Sequence, residues 1–329
     1  MNQMNRRGLV LLAGTAVAAL MAAVPAVSLA QAFPVKPARM IVAFPPGGGT
    51  DIVARILSAK LADDWRQPVI VDNRAGADGV IGTDLAAKAP PDGHTLFMGT
   101  AGNLAINPSL YSKVPFDIAR DFAPLTQIVT VDMMLTVNPS LPARSVKELI
   151  ALAKAQPGKF NYASTGTGGI PHLGAELFVR MADLDIHHVP YKGGGPAMAD
   201  LIAGHVQVYV MSVVQGAPSV KDGRARALAL LSPKRSPLLP DVPALAETIS
   251  GYEATNWYGL VVPAKTPAAT QRRIHTDVLK AMRLPDVNDA IVGQGAVPTV
   301  SSPEEFAAFL KAETAKWAKV IREANIKAE

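Results

Sequence analysis

Apolar residues along the chain follow two alternating periods. Met40 to Phe44 (MIVAF) is a short apolar run that predicts a buried strand, and Ile52, Val53, Ile56, Leu57 and Leu61 then recur at helical spacing. The intervening Pro45-Pro46-Gly47-Gly48-Gly49 makes this a strand–glycine loop–helix unit. Thr50 or a neighbouring glycine is the expected N-cap, and Asp51 falls in the first turn, where its charge suits the helix dipole. Pro68 to Asp72 is the next predicted strand, followed by a turn-rich loop, Asn73 to Gly79, a helix over Val80 to Lys88 and a strand over Thr95 to Gly99. A βαβαβ start of this kind implies a parallel sheet covered by helices.

Thr126 to Asn138 reads as one long extended run able to cross from one lobe to another. Beyond it come a helix from Ser145 to Lys154 with a capping box (Ser145, Glu148) and a strand over Phe160 to Ala163. A second glycine loop follows, Ser164-Thr165-Gly166-Thr167-Gly168-Gly169, and then a helix with Pro171 at its first position. Ile186 to Pro190 is again a strand. It leads into a third loop, Tyr191-Lys192-Gly193-Gly194-Gly195, and a helix over Pro196 to Ala203 closed by Gly204. Strands are expected at Val206 to Val210 and Arg226 to Leu231, and Ser232 to Pro243 is proline-rich connection. Tyr258 to Val262 is a strand that returns to the first lobe, followed by helices from Thr266 and from Ser302, the latter with Pro303 and a Ser302–Glu305 capping box. The pattern predicts an α/β chain of two lobes joined by two crossover strands, with the C-terminal helices on lobe one.

The N-terminus alters this picture. Arg6 and Arg7 precede an uncharged apolar stretch, Leu9 to Val24, of sixteen residues. That is short of the ~20 needed to span a bilayer, and small residues at Ser28-Leu29-Ala30 and Ala30-Gln31-Ala32 offer cleavage after Ala30 or Ala32. Residues 1–32 are therefore read as a signal peptide, exported by the general or the twin-arginine route, with the mature protein in the periplasm. The expected domain division is 33–130 plus 256–329 for lobe one and 131–255 for lobe two. Losing the two arginines takes the net charge from +5 to +3, too mild to argue for nucleic acid. The chain has no Cys, which excludes disulfides, thiolate metal sites and a Cys nucleophile.

Enzymatic patterns fail on spacing. The Gly158-Lys159 pair is followed by Phe160, not the Ser or Thr of a P-loop, and Gly166-Thr167-Gly168 meets Pro171 where a dinucleotide fingerprint needs its third glycine. Neither GxSxG nor HExxH occurs. His187 and His188 are adjacent, so on a strand they face opposite sides. No cofactor, metal or catalytic residue is expected. Loops whose glycines expose backbone N–H groups, each opening a helix, suit a small anion, although any one of them also reads as a plain connection.

Six stretches in this order resemble the Bug receptors, the extracytoplasmic solute receptors of tripartite tricarboxylate transporters. They are FPPGGGTDIVAR (from Phe44), VDNRAGADGVIGT (from Val71), NYASTGTGGIPHLGAELF (from Asn161), VPYKGGGPAMADLIAGHV (from Val189), SPKRSPLLPDVPALAE (from Ser232) and NWYGLVVPAKTP (from Asn256). The resemblance covers essentially the whole mature chain. It implies a two-lobed periplasmic binding protein of the type 2, Venus-flytrap kind, monomeric, that closes on a small carboxylate and delivers it to membrane permease subunits. A periplasmic sensor subunit of a signalling system would share the same fold. The resemblance further implies that the first and second glycine loops pinch the carboxylate. The matching positions are Pro46, Gly47, Gly48, Gly49 and Asp51 in the first loop and Ser164, Thr165, Gly168 and His172 in the second, with Asn103, Tyr191 and Lys192 lining the cleft. Family members often carry an acidic residue where this chain has Ser212, a departure that disfavours an amino-acid ligand and leaves mono- and dicarboxylates.

Overall fold

The computed structural model describes residues 33–236, 239–324 and 326–327. The predicted export segment, residues 1–32, lies outside them.

From Lys36 onward the chain builds two sheets, each flanked by helices. The six strands of the first are, in spatial order, β2 (Val69–Asn73), β1 (Ala38–Val42), β3 (Thr95–Thr100), β10 (Asn256–Pro263), β4 (Phe122–Val131) and β11 (Ala296–Pro298). β1 runs parallel to both neighbours, with Met40 opposite Val71 on one side and Leu96 on the other, whereas β10 is antiparallel to β3 and β4. The second sheet is ordered β7 (Ile186–Pro190), β6 (Phe160–Ser164), β8 (Val208–Ser212), β5 (Met133–Val137) and β9 (Arg226–Leu230). Within it β6 is parallel to β7 and β8, and β5 is antiparallel to β8 and β9. Both lobes therefore present a bundle of parallel strand ends, where such sheets place ligands.

The long run from Thr126 divides between the sheets. β4 ends at Val131, β5 starts at Met133, and Asp132 alone joins them. Its carbonyl accepts the N–H of Val213 at 2.8 Å, which ties the start of a second-lobe helix to the crossover. β10 makes the return. The C-terminal helix Pro303–Ala324 is stitched to it by Glu313, which accepts the indole N–H of Trp257 at 2.9 Å and that of Trp317 at 3.1 Å. Gly259 of β10 has no side chain because the Phe306 ring occupies the place of a Cβ.

Capping follows the local sequence closely. Ser302 and Glu305 form the reciprocal box, with N–H···O distances of 2.8 and 3.1 Å. At the Val146–Ala155 helix the Ser145 hydroxyl accepts from Glu148 N–H, but the Glu148 carboxylate reaches back to the N–H of Arg144, one residue outside the cap. β1 begins two residues before its apolar run, where Ala38 and Arg39 donate to the Pro68 and His94 carbonyls, and ends at Val42, beyond which the Phe44 carbonyl is taken by the Asn73 amide. The helices Gly102–Ile106, Asn107–Leu110, Val213–Lys221 and Pro285–Gly293, and the short β11, have no counterpart in the sequence reading.

Candidate functional site

The helices that follow the three glycine loops share one property. Gly49–Trp65, Ile170–Met181 and Gly194–Ala203 begin after Gly48, Gly169 and Gly193, and none receives a side-chain cap. Their first turns lie at the positive end of the helix dipole, although the second and third carry a proline there, Pro171 and Pro196, and His172 N–H donates to the Gly169 carbonyl at 3.0 Å. These three helices follow the C-terminal ends of β1, β6 and β7. In the second lobe Ser145 and Ser212 cap their own helices through Glu148 N–H and Gln215 N–H, whereas Val80–Ala87, Ala268–Met282 and Pro285–Gly293 also lack a side-chain cap.

The first loop is held from inside its own helix. Asp51, 2% exposed, accepts the N–H of Gly47 at 2.9 Å, the guanidinium of Arg55 at 2.9 Å and the amide of Asn73 at 3.0 Å. Burial alone would push its pKa up, but those three hydrogen bonds and the Arg55 charge outweigh it and hold the carboxylate below its ordinary range. Every oxygen of Asp51 is thus occupied in shaping the loop. The loop itself is exposed from Pro45 to Gly48, and a Cβ on Gly47 would meet nothing within 4 Å. Gly49 faces the Tyr258 hydroxyl and Val214, which belongs to the second lobe. Burial raises the Tyr258 hydroxyl to about 12, partly offset by its hydrogen bond with Thr50.

The second loop rests on an aromatic stack. Tyr162, His188 and His172 lie nearly parallel, with ring centroids 4.9 Å apart for Tyr162–His188 and 4.0 Å for His188–His172. Burial lowers His172 to about 4; burial, then the neighbouring His172, lowers His188 to about 3. Both rings are neutral at pH 7. Gly168 donates its N–H to His172 Nδ1 at 3.1 Å. The Ser164 hydroxyl donates to the Gly166 carbonyl at 2.7 Å, so at the 2.7 Å Ser164–His188 contact the imidazole Nε2 is the donor. A serine that accepts a hydrogen bond from histidine, rather than donating one to it, is not an activated nucleophile. Thr165 is half-buried beside it.

Across from the second loop stands the first lobe. A Cβ on Gly168 would collide with Leu110 Cδ2 and lie 3.2 Å from Asp78 Oδ2 and 3.7 Å from Asn107 Oδ1, and one on Gly102 would lie 3.9 Å from Gly169 Cα. Gly168 has φ +107°, a conformation that side chains resist. The close neighbours of the second loop are therefore the loop after β2 and the turn after β3, whereas those of the first loop are Tyr258 and Val214. Asn103 is fully buried; its Oδ1 accepts Thr100 N–H at 2.7 Å, and its Nδ2 has no partner.

Tyr191 donates its hydroxyl to Asp200 at 2.6 Å, and burial followed by that bond raises it to about 12. Lys192 is exposed. Ser212 spends its oxygen on its own helix. Of the described histidine pair, His187 is exposed while His188 joins the stack.

Asp78 and Asn107 were not singled out by sequence reasoning. Both fall in recognisable turn chemistry, a Gly-Ala-Asp-Gly loop and an Asn-Pro dipeptide, but neither signal specifies burial. Ala77 and Asp78 both adopt left-handed backbone, φ +46° and +47°, which costs a residue with a Cβ about 1–2 kcal/mol.

Residues 53–326 match the family described as the tripartite tricarboxylate transporter family receptor. The chain is 39% identical over 300 residues to the protein of the tcbD-tcbE intergenic region of Pseudomonas sp. (strain P51), covering 91% of this chain and 89% of that one. It is 38% identical over 302 residues to Protein BugT of Bordetella pertussis, covering 91% and 92%. The solved structure of R. palustris Rpa4515 with adipate superposes with a TM-score of 0.86 at 34% identity, over 90% of this chain and 99% of that one.

Proposed function

The chain belongs to the tripartite tricarboxylate transporter receptor family, and from that premise we propose that it binds a small carboxylate between its lobes and presents it to membrane permease subunits. The observation that carries this reading is the pair of helix N-termini left without side-chain caps after the first and second glycine loops. Each terminus favours an anion by about 0.3–2 kcal/mol, and each charge-assisted hydrogen bond adds about 1.5–3 kcal/mol. Together these reach micromolar affinity, about 8 kcal/mol, without a cationic side chain. The two stacked histidines are neutral at pH 7 and leave recognition to backbone dipoles.

In this reading Pro46, Gly47, Gly48 and Gly49 and the Ser164–Gly168 loop contact the carboxylate, and Asp51, Ser164 and His172 hold those loops in shape. Lobe one comprises 33–130 and 256–329, lobe two 131–255, and residues 1–32 are removed on export to the periplasm. The protein is a receptor without catalytic activity, consistent with the direction of the Ser164–His188 hydrogen bond. Adipate in the Rpa4515 structure supports a carboxylate as the ligand class.

Calorimetric titration of the mature protein with mono- and dicarboxylates and their amides tests the proposal. Binding of a carboxylate with loss of binding for its amide is expected. Equal affinity for both would overturn it.

A further inference from the structure

The carboxylate reading concerns the glycine loops; a second polar cluster faces one of them from the opposite lobe. Resting on that reading, we propose that Asp78 and Asn107 recognise a hydrogen-bond-donating substituent of the ligand, a hydroxyl or an ammonium group carried in addition to its carboxylate.

The orientation of Asn107 is fixed. Its Nδ2 donates to the Asp78 carbonyl at 2.9 Å, so the other amide atom, Oδ1, is an acceptor, and it is fully buried with no partner. Asp78 Oδ2 is likewise sealed from solvent and without a partner, although the residue as a whole is only half-buried. Both oxygens lie within 4 Å of a single point, the position of a Cβ on Gly168. Two oxygens are thus brought to one place in the seam between the lobes, Asn107 Oδ1 as an acceptor and Asp78 Oδ2 as a second one whenever its carboxyl is ionised. Buried polar atoms in folded proteins are nearly always paired, and an unpaired cluster calls for an absent donor.

Among the described residues no side chain donates a hydrogen bond to either oxygen; the unpaired Asn103 Nδ2 stands 3.2 Å from the position of a Cβ on Gly79. The groups facing Asp78 are the Tyr111 hydroxyl, whose pKa is raised by burial and then by the Asp78 charge, and the second loop, whose His172 is neutral. Arg74, in the same loop, is turned to Asp72 at 2.8 Å. Burial accordingly raises the Asp78 carboxyl to about 8, so in the absence of a cation it holds a proton in neutral solution. The paired left-handed residues Ala77 and Asp78 keep the carboxyl in this position at a conformational cost, as is common where a loop serves recognition.

The test is titration calorimetry with matched sets of carboxylates of three to six carbons. Each set comprises the unsubstituted acid, its hydroxy derivative and its amino derivative, applied to the native protein, Asp78→Gly and Asp78→Asn. Glycine tolerates the left-handed backbone and asparagine nearly so, and melting curves confirm folding. The native protein is expected to prefer a donor-bearing member of its best set by about 10- to 100-fold, the ratio a hydrogen bond to a charged or buried group confers. Asp78→Gly should erase that preference while still binding the unsubstituted acid. Whether the hydroxy or the amino form wins identifies the donor. Equal or tighter binding of the unsubstituted acid by the native protein, or a preference that survives in Asp78→Gly, overturns the inference and leaves the carboxylate reading standing. That outcome would match the competing account, in which Asp78 and Asn107 merely share a proton. Binding of no carboxylate at all would overturn both.

Discussion

Gly47 donates its backbone N–H to the carboxylate of Asp51 at 2.9 Å, so the helix that follows the first glycine loop also dictates the loop's shape. The same carboxylate holds Asn73 at the end of β2, coupling two strand ends. Asp51→Ala should cost about 2–3 kcal/mol of stability, because it leaves a loop N–H and a half-buried amide without acceptors. It should also weaken ligand binding by at least about tenfold. Denaturant unfolding and calorimetry measure the two effects separately; unchanged affinity would mean the loop keeps its form without Asp51.

Gly168 is expected to control closure more than folding. An alanine there must adopt φ +107° and place its Cβ against Leu110 and Asp78, contacts made between lobes. The strain is about 1–3 kcal/mol. Gly168→Ala should retain the native circular dichroism spectrum yet lose about tenfold or more in affinity, and solution scattering should show no ligand-induced contraction. A normal contraction would place the closed interface elsewhere.

The stacked histidines predict an acid-sensitive lobe. In the native protein His172 and His188 stay neutral down to about 4 and about 3, whereas in the unfolded chain each takes up a proton below its ordinary 6.5. The unfolded state binds more protons throughout that interval. Their contribution to stability is therefore complete above pH 6.5 and is lost as pH falls toward 4 and below. His188→Phe keeps the stacking and removes one titration, and Ser164 retains its bond to Gly166. Its melting temperature should fall less steeply than that of the native protein between pH 6.5 and 4; parallel curves would assign the acid sensitivity to other groups.

Asp78 has the opposite sign. Burial raises its carboxyl from 3.8 to about 8, so the native protein keeps a proton that the unfolded chain has released. This stabilising contribution is complete below about 4 and disappears as pH rises through about 8. Asp78→Asn, which never ionises, should gain in melting temperature relative to the native protein as pH rises from 4 to 8, and hold that gain above 8. A constant difference across the range would show that Asp78 ionises as an exposed carboxylate does.

Much of the architecture is local in origin and could be read directly. Strand–glycine loop–helix units are encoded by a change of hydrophobic period on either side of residues that free the backbone, and the caps at Ser145, Ser302 and Gly204 lie within four residues of what they cap. The division of Thr126–Asn138 between two sheets was legible for the same reason: a β-branched run too long for one half-buried strand. The Val213–Lys221 helix was not legible, because Pro218 interrupts its pattern and its capping serine looked like a ligand contact. Tyr191 is a cleft position by the family resemblance, and only the structure shows its hydroxyl bonded to Asp200.

What the amino-acid sequence determined alone was therefore the three strand–glycine loop–helix units, and the missing side-chain caps of those helices emerged in the structure. Tertiary structure decided which elements those loops meet. Asp78 and Asn107 come opposite Gly168 only when segments some 60 to 90 residues apart are packed lobe against lobe, and that packing seals Asp78 Oδ2 and Asn107 Oδ1 from solvent. The neutral state of His172 and His188 has the same origin, since burial rather than any neighbouring sequence sets their charge. Backbone donors follow from local chain geometry, whereas desolvation depends on every element that closes over a group.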